Sequence, residues 1–193
     1  MKNKPLHHLA IIMDGNRRYA KARFMPAIFG HKAWYDNVKK ITSLADKKWI
    51  KHLTLWALST ENLKNRPEEE INWIIKLIGQ VPKLIPEFME KQIQLNLIWN
   101  IWKLPKESQE ILYSAREKTS QNTGIILTIA LVYWGQDEIL RATQKIVSEW
   151  INPEELTREE FRKYLDTANL PIPDVIVRTG WDIRHSGFLL FDS

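Results

Sequence analysis

A single carboxylate, Asp14, follows a run of apolar residues and precedes Gly15, Asn16 and two adjacent arginines. Carboxylate oxygens are ligands that Mg2+ prefers, and arginine forms paired hydrogen bonds with phosphate oxygens. Two interpretations fit this stretch on its own. One is an ordinary surface turn, because Gly and Asn are common in turns. The other is a site where a metal ion and phosphate groups meet.

The elements that must position these residues alternate between strand and helix. Short, β-branched apolar runs predict strands over 9–13, 53–58, 93–98, 125–133 and 174–178. A period of 3.6 residues predicts helices over 30–48, 68–91, 105–121, 136–150 and 157–167. Thr157 is the expected N-cap of the last helix, with Glu160 completing a capping box. The alternation predicts an α/β fold, a single domain with a central, mostly parallel β-sheet flanked by helices.

Polar residues follow three of the predicted strands. In open parallel sheets, ligands bind beyond the carboxyl ends of the strands. Carboxylates, amides, hydroxyls and arginines at these ends suit a diphosphate with a divalent cation, and their convergence favours that interpretation although no single motif requires it. The residues are 14–18 after the first strand, 59–62 after the second and 178–180 after the last.

The composition indicates a globular protein with anionic partners. The chain has 193 residues, no cysteine, and 28 Lys plus Arg against 23 Asp plus Glu, a net charge of +5. This charge suits phosphorylated metabolites, nucleic acid or an acidic membrane surface, but the scattered basic residues do not form a nucleic-acid footprint. The longest apolar run, 124–134, is too short to span a membrane, and no signal peptide is visible. We therefore expect a cytoplasmic protein with no nucleic-acid partner.

Five stretches carry a family resemblance, in order from His8 to Ser193: HLAIIMDGNRRYAKA, FGHKA, LTLWALSTEN, NRPEEE, and PDVIVRTG with a following Arg-x-Ser and FLL. They resemble the cis-prenyltransferases, the undecaprenyl diphosphate synthase group. The resemblance implies a homodimeric α/β enzyme that condenses isopentenyl diphosphate onto an allylic diphosphate, typically farnesyl diphosphate, with Mg2+. The product would be a long polyprenyl diphosphate lipid carrier, and its apolar chain allows peripheral contact with a membrane.

The resemblance also implies roles for individual residues. Asp14 corresponds to the Mg2+ ligand, and Asn62 either accepts the proton from the isopentenyl unit or orients the substrate, because an amide oxygen is a weak base. The family usually has Gly where Arg17 stands. Arg66 follows a loop one residue longer than usual, which loosens its correspondence to a substrate-contacting Arg. The implied substrate-binding residues are Gly15, Asn16, Arg17, Arg18, Tyr19, His31, Ser59, Thr60, Glu61, Arg66, Arg178, Arg184 and Ser186.

Simpler interpretations stand beside these roles. Glu61 and Asn62 could cap the next helix, Arg178 could be a structural ion-pair partner, and His31 could be a solvated surface residue. The apolar stripe within 71–89 is expected to be core, and by the resemblance part of it could line a tunnel for the growing chain.

Two departures from the family pattern weaken the functional interpretation. The family continues past the final FLLF with a further carboxylate and dimer contacts, so 1–193 is expected to be one cis-prenyltransferase domain lacking that segment. The alternative function is a non-catalytic relative that acts as a binding subunit. The second departure concerns five of the nine tryptophans, which stand where the family has glycine: Trp34, Trp49, Trp99, Trp134 and Trp181. We hypothesise that these positions are encoded by UGA, a codon read as tryptophan in this sequence but translated as glycine in the native host.

Overall fold

The sequence folds into five strands and eight α-helices over the residues that the structure describes. The structure, a computed structural model, describes residues 5–100 and 103–193, without the side chains of 27–34 and 99. The strands are β1 (His8–Ile12), β2 (His52–Trp56), β3 (Gln94–Trp99), β4 (Ile126–Leu131) and β5 (Val175–Arg178). The helices are α1 (Asn16–Lys21), α2 (Ala27–Lys47), α3 (Thr60–Asn65), α4 (Glu68–Ile78), α5 (Ile85–Glu90), α6 (Lys106–Lys118), α7 (Gly135–Ser148) and α8 (Arg158–Arg162).

The five strands form one sheet in the order β3-β4-β2-β1-β5, and every neighbouring pair is parallel. The chain's first and last strands are therefore adjacent, with Ile12 level with Arg178. Parallel pairing brings all the carboxyl ends to one edge of the sheet. The predicted α/β fold is confirmed, and each predicted strand overlaps an observed one.

Apolar residues cover both faces of the sheet because neighbouring residues of a strand point to opposite sides. Ile11 packs on one face with Leu residues of β2, β3 and β4 and with side chains of α4, α5 and α6. Ala10 and Ile12 pack on the other face with Trp56, Tyr133 and Phe188. This two-sided burial explains why the strands are nearly apolar throughout.

Several helix predictions needed correction. The predicted helix over 68–91 divides into α4, a 3-10 turn over 81–84 and α5, because Gly79 caps α4 and two prolines follow it. Thr157 caps α8 by accepting from the Glu160 amide at 3.1 Å. The capping box is only half formed, since the Glu160 carboxylate pairs with Lys163 instead. The periodic pattern did not predict the short helices α1 and α3.

The ends of α2 and α7 place tryptophan in an unusual backbone conformation. Trp49 has φ of +61° and Trp150 has φ of +54°. Each is the second residue after its helix, and the next amide, of Ile50 or Ile151, bonds back to the carbonyl five residues earlier. This closing pattern is a Schellman motif, in which the left-handed position is usually glycine. Trp150 was not among the five tryptophans predicted to replace glycine.

Candidate active site

Asp14 and Arg178 meet at the carboxyl edge of the sheet because β1 and β5 are neighbours. Arg178 donates to Asp14 Oδ2 from Nη2 at 2.8 Å and from Nε at 3.2 Å. Arg18 Nη2 lies 3.2 Å from the same oxygen, and Asp14 Oδ1 accepts from the Gly15 amide at 2.6 Å. One carboxylate therefore faces two guanidinium groups, one from each end of the chain.

The charges around Asp14 keep it ionised. Burial by itself would raise the pKa of Asp14, but hydrogen bonds from Arg178 and Gly15 and the charges of Arg178 and Arg18 outweigh it and hold the pKa below its ordinary value. A carboxylate in this state can accept hydrogen bonds or bind a cation at neutral pH.

Arg178 also organises the segment that follows β5. Its Nη1 donates to Ser186 Oγ and to the carbonyl oxygen of Arg184, both at 2.6 Å. Its Nη2 lies 3.3 Å from Asp182, which in turn lies 3.5 Å from Arg184. The resemblance implied substrate binding by Arg178, Arg184 and Ser186, and the structure brings these three residues together.

The two turns at this edge approach each other closely at Gly15 and Gly180. Both have φ of +93°, a conformation that favours glycine. A Cβ on Gly180 would lie 2.8 Å from Arg18 Nη2. Glycine at position 180 thus leaves room for the arginine that faces Asp14.

A polar pocket of about 330 Å³ opens above these groups. Its walls carry four guanidinium groups and three carboxylates, an excess of positive charge that suits an anion. The amide and hydroxyl groups of the second motif complete it. Its polar lining comprises Asp14, Arg17, Ser59, Glu61, Asn62, Arg66, Arg178, Asp182, Arg184 and Ser186.

A second polar pocket, of about 340 Å³, lies at the β1–α1 turn and shares part of its lining with the first. It is lined by residues 13–18 and by Arg66. Gly15, Asn16 and Arg18 line this pocket, while Arg17 and Arg66 line both polar pockets. Between α4 and the sheet lies an apolar cavity of about 120 Å³, and Arg66 reaches its rim as well.

The second motif divides between the pocket and the protein interior. Ser59 caps α3 by accepting from the Asn62 amide at 2.9 Å, and Ser59, Glu61 and Asn62 all line the first pocket. Thr60 is buried, and its hydroxyl contacts the Val132 carbonyl and Asp137. The structure therefore gives Thr60 contacts within the fold and does not bring it to the pocket.

One other predicted residue, Tyr19, does not line either polar pocket. Tyr19 is half exposed, and Arg23 covers its ring at 3.8 Å from the centroid. The prediction for His31 falls outside the residues whose side chains are described.

Comparisons with known proteins identify the family of this chain. Residues 12–193 match the family model for undecaprenyl diphosphate synthase. The chain belongs to the undecaprenyl diphosphate synthase family. A ditrans,polycis-undecaprenyl-diphosphate synthase of Micrococcus luteus, (2E,6E)-farnesyl-diphosphate specific, is 42% identical over 95% of this chain and 76% of its own length. An isoprenyl transferase of Bacillus cereus is 41% identical over 95% of this chain and 73% of its own length.

Solved structures give the same assignment. The lavandulyl diphosphate synthase of Lavandula x intermedia, solved with dimethylallyl diphosphate, superposes with a TM-score of 0.92 at 29% identity, covering 97% of this chain and 83% of its own. A probable undecaprenyl diphosphate synthase from Campylobacter jejuni superposes with a TM-score of 0.79 at 27% identity, covering 98% of this chain and 82% of its own. This family member is thus a prenyltransferase with the single-domain α/β fold that its motifs predicted.

Three residues of this prenyltransferase bear on the pockets although the sequence did not single them out as functional: two line the first pocket, and one contacts two of its arginines. Asp182 and Trp134 line the first polar pocket. Glu70 lies against Arg17 and Arg66, with Nε–carboxylate distances of 3.4 and 3.9 Å. The spacing of four residues between Arg66 and Glu70, astride a predicted helix start, was the available signal.

Trp134 stands where the family has glycine, yet its backbone conformation does not require glycine. Its φ of −148° is ordinary extended backbone. Glycine is instead needed one residue later, since a Cβ on Gly135 would lie 2.5 Å from the Gly187 carbonyl oxygen. The indole of Trp134 packs edge-on to Trp56 and forms a wall of the polar pocket. Trp181 is exposed, and the side chains of Trp34 and Trp99 are outside the described set.

The donor set of this family member fits a magnesium ion that arrives with its diphosphate. Among the side chains that the structure describes, no three His, Asp or Glu group together as a metal site. Mg2+ commonly takes one or two carboxylates and completes its shell with water and substrate phosphates. The ionised Asp14, which lines both polar pockets, meets that requirement.

No described helix is both long and apolar enough to cross a bilayer.

Proposed function

We propose that this chain is a Mg2+-dependent cis-prenyltransferase that extends an allylic diphosphate, farnesyl diphosphate, with isopentenyl diphosphate to a long polyprenyl diphosphate lipid carrier. The observation that carries the proposal is the Asp14–Arg178 pair, with partners 164 residues apart in sequence. Both residues line the first arginine-lined pocket, and Asp14 also lines the second. Two adjoining anion pockets suit a reaction between two diphosphates. The farnesyl specificity in the name of the Micrococcus relative supports the choice of primer.

The arginines of this site divide between the two substrates. Arg178, Arg184 and Ser186 bind the isopentenyl diphosphate, since their polar atoms converge in the first pocket. The turn over 15–18 binds the allylic diphosphate from the second pocket. The dimethylallyl diphosphate named in the lavandulyl diphosphate synthase structure supports this substrate class.

In the reaction, the allylic C–O bond breaks and its electron pair leaves with diphosphate. The isopentenyl double bond forms the new C–C bond, and a proton then leaves the isopentenyl unit. The guanidinium groups stabilise the charge that grows on the leaving diphosphate. Bound Mg2+, held by Asp14 and the phosphates, would supply additional charge neutralisation there. Asn62 lines the pocket and either orients the isopentenyl unit or accepts its proton.

The apolar cavity next to Arg66 takes the first part of the hydrocarbon chain. Its walls include Ile74, Ile78 and Phe88, members of the apolar stripe predicted from the sequence. The cavity leads from the polar pockets into the layer between α4 and the sheet, which gives the growing chain an apolar surface away from water. We further propose a cytoplasmic homodimer that contacts membranes peripherally through its product.

Incorporation of radiolabelled isopentenyl diphosphate tests the proposal. With farnesyl diphosphate and Mg2+, we expect labelled product that extracts into organic solvent, that EDTA abolishes and that added Mg2+ restores. Asp14→Asn should lower turnover by about 10²–10³-fold, the usual loss when one such electrostatic contact is removed. The matched control is Asp166→Asn, which changes another Arg–Asp pair outside the two pockets.

Two results would contradict the proposal. Full turnover by Asp14→Asn would remove the role given to the carboxylate. Binding of both diphosphates without any product would instead favour the non-catalytic relative, an alternative that the indole in the pocket wall supports.

A further inference from the structure

Glu70 lies at the point where three elements of the site converge. It belongs to the first turn of α4, four residues after Arg66, and its carboxylate faces Arg17 of α1. Oε1 lies 3.4 Å from Arg17 Nε, and Oε2 lies 3.9 Å from Arg66 Nε. The Glu70 side chain is only 11% exposed, whereas that of Arg17 is 61% exposed. A largely buried carboxylate thus holds an arginine that extends towards solvent.

Both arginines line both polar pockets, and Arg66 also reaches the apolar cavity. Glu70, by contrast, is absent from the described lining of either polar pocket. An anion bound in either polar pocket would therefore not contact the Glu70 carboxylate directly. Since Arg17 replaces the glycine usual in the family, its contact with Glu70 is a feature of this chain's own site.

We propose that Glu70 is a positioning residue, whose carboxylate holds the Arg17 and Arg66 guanidinium groups in the wall that the two diphosphate pockets share. Without it, two like charges would repel each other, and a long, exposed arginine side chain would lose its fixed orientation. The inference rests on the proposed function, because it assumes that diphosphates occupy these pockets.

The sign of the effect separates positioning from a simple charge effect. If Glu70 only lowered the local positive potential, its neutralisation would make the site more positive and tighten anion binding. If it positions the two arginines, its neutralisation weakens anion binding although the net charge becomes more favourable. The two roles therefore predict opposite changes in the same measurement.

The experiment compares Glu70→Gln with Glu69→Gln in the whole chain. Glu69 is the neighbouring residue on the same helix turn and is exposed, so its substitution makes the same charge change without the contacts. Calorimetric titration with inorganic diphosphate should give a Kd raised about tenfold for Glu70→Gln, the effect typical of losing a charge-assisted contact. Glu69→Gln should bind as the unaltered protein does.

A second measurement ties the effect to the arginines. In an Arg17→Ala background, the loss caused by Glu70→Gln should shrink, because one of the positioned groups is already absent. In the condensation assay, KM for a diphosphate substrate should rise more than kcat falls. If Glu70→Gln does not fold by circular dichroism, Glu70→Asp provides the test, since a shorter side chain with the same charge should also weaken diphosphate binding.

Unchanged or tighter binding of inorganic diphosphate by Glu70→Gln would overturn the inference, as would an equal loss in Glu69→Gln. This binding measurement needs no turnover. A chain that binds diphosphate but makes no product would therefore refute the proposed function and still report on Glu70.

Discussion

Arg178 illustrates how much of the site depends on the geometry of one guanidinium group. It contacts Asp14 with two nitrogens and directs its third towards Ser186 and the Arg184 carbonyl. Its side chain is only 14% exposed, so these contacts are shielded from water. The planar, multiply donating guanidinium links β1, β5 and the following segment in a way that a single ammonium group cannot.

Replacing Arg178 with lysine should therefore impair catalysis although the charge is kept. We expect kcat/KM to fall by about 10- to 100-fold, because one or two charge-assisted hydrogen bonds are lost. Steady-state kinetics with both diphosphates measures the change. Arg141→Lys is the matched control, since Arg141 pairs with Asp166 outside the described pockets. Equal losses in the two variants would mean that the effect is a general loss of stability.

At the scale of secondary structure, the strands were predictable and several helix limits were not. A strand buried on both faces leaves a short apolar run that is visible in the sequence, as in LAIIM and LTLWAL. The helices α1 and α3, of six residues each, are too short for a periodic pattern to reveal them. The predicted parallel sheet placed Asp14 and Arg178 at the same edge, whereas their direct pairing depends on β1 lying next to β5, which the sequence did not predict.

Contacts between separate elements were the part that sequence reasoning could not supply. Thr60 stands beside Ser59 in the motif, yet the direction of α3 turns its hydroxyl towards Asp137. Glu70 reads as an ordinary acidic residue in a helix's first turn, and only the approach of α1 gives it Arg17 as a partner. Such relations depend on how helices pack, which local patterns do not encode.

The Schellman motifs at the ends of α2 and α7 extend the glycine hypothesis to Trp150. Trp49 and Trp150 occupy equivalent left-handed positions, and each side chain is 92% exposed, so packing offers no compensation. A left-handed conformation costs a residue with a Cβ about 1–2 kcal/mol, and glycine avoids most of that cost. The positive φ gives a physical reason for glycine at both positions.

Substituting glycine at Trp49 or Trp150 should accordingly stabilise the fold. We expect each variant to raise the free energy of unfolding by about 1 kcal/mol. The greater conformational entropy that glycine gives the unfolded chain offsets part of this gain. Urea denaturation measures it. Trp181→Gly is the control, since Trp181 is 90% exposed without a positive φ and should gain nothing. Ordinary UGG codons at these positions in the host's DNA would end the recoding hypothesis.

Across the whole molecule, the two edges of the sheet have different chemistry. The carboxyl edge carries the arginines and carboxylates, whereas the amino edge carries histidines at the starts of β1 and β2. His8 is buried, with Nδ1 donating to the Pro171 carbonyl, so Nε2 of the neutral ring accepts from the Thr54 hydroxyl. His52 lies beside it, with ring centroids 5.7 Å apart. Protonation of these two histidines is unfavourable. They lie at the edge of the sheet opposite to the proposed chemistry.

Acid should therefore destabilise the fold through the amino edge. Burial and the charges of His8, His7 and Lys51 lower the pKa of His52 to about 4, and burial also lowers the pKa of His8. Because an unfolded histidine titrates near pH ~6.5, the unfolded chain binds more protons between that pH and about 4, so stability falls as the pH drops through this window. Urea midpoints at pH 7 and pH 5 should differ less for His52→Gln than for the unaltered protein. His185→Gln, an exposed change at the other edge, should leave the difference as it was. A pH dependence unchanged in His52→Gln would show that other groups, and not this cluster, set the acid sensitivity of the fold.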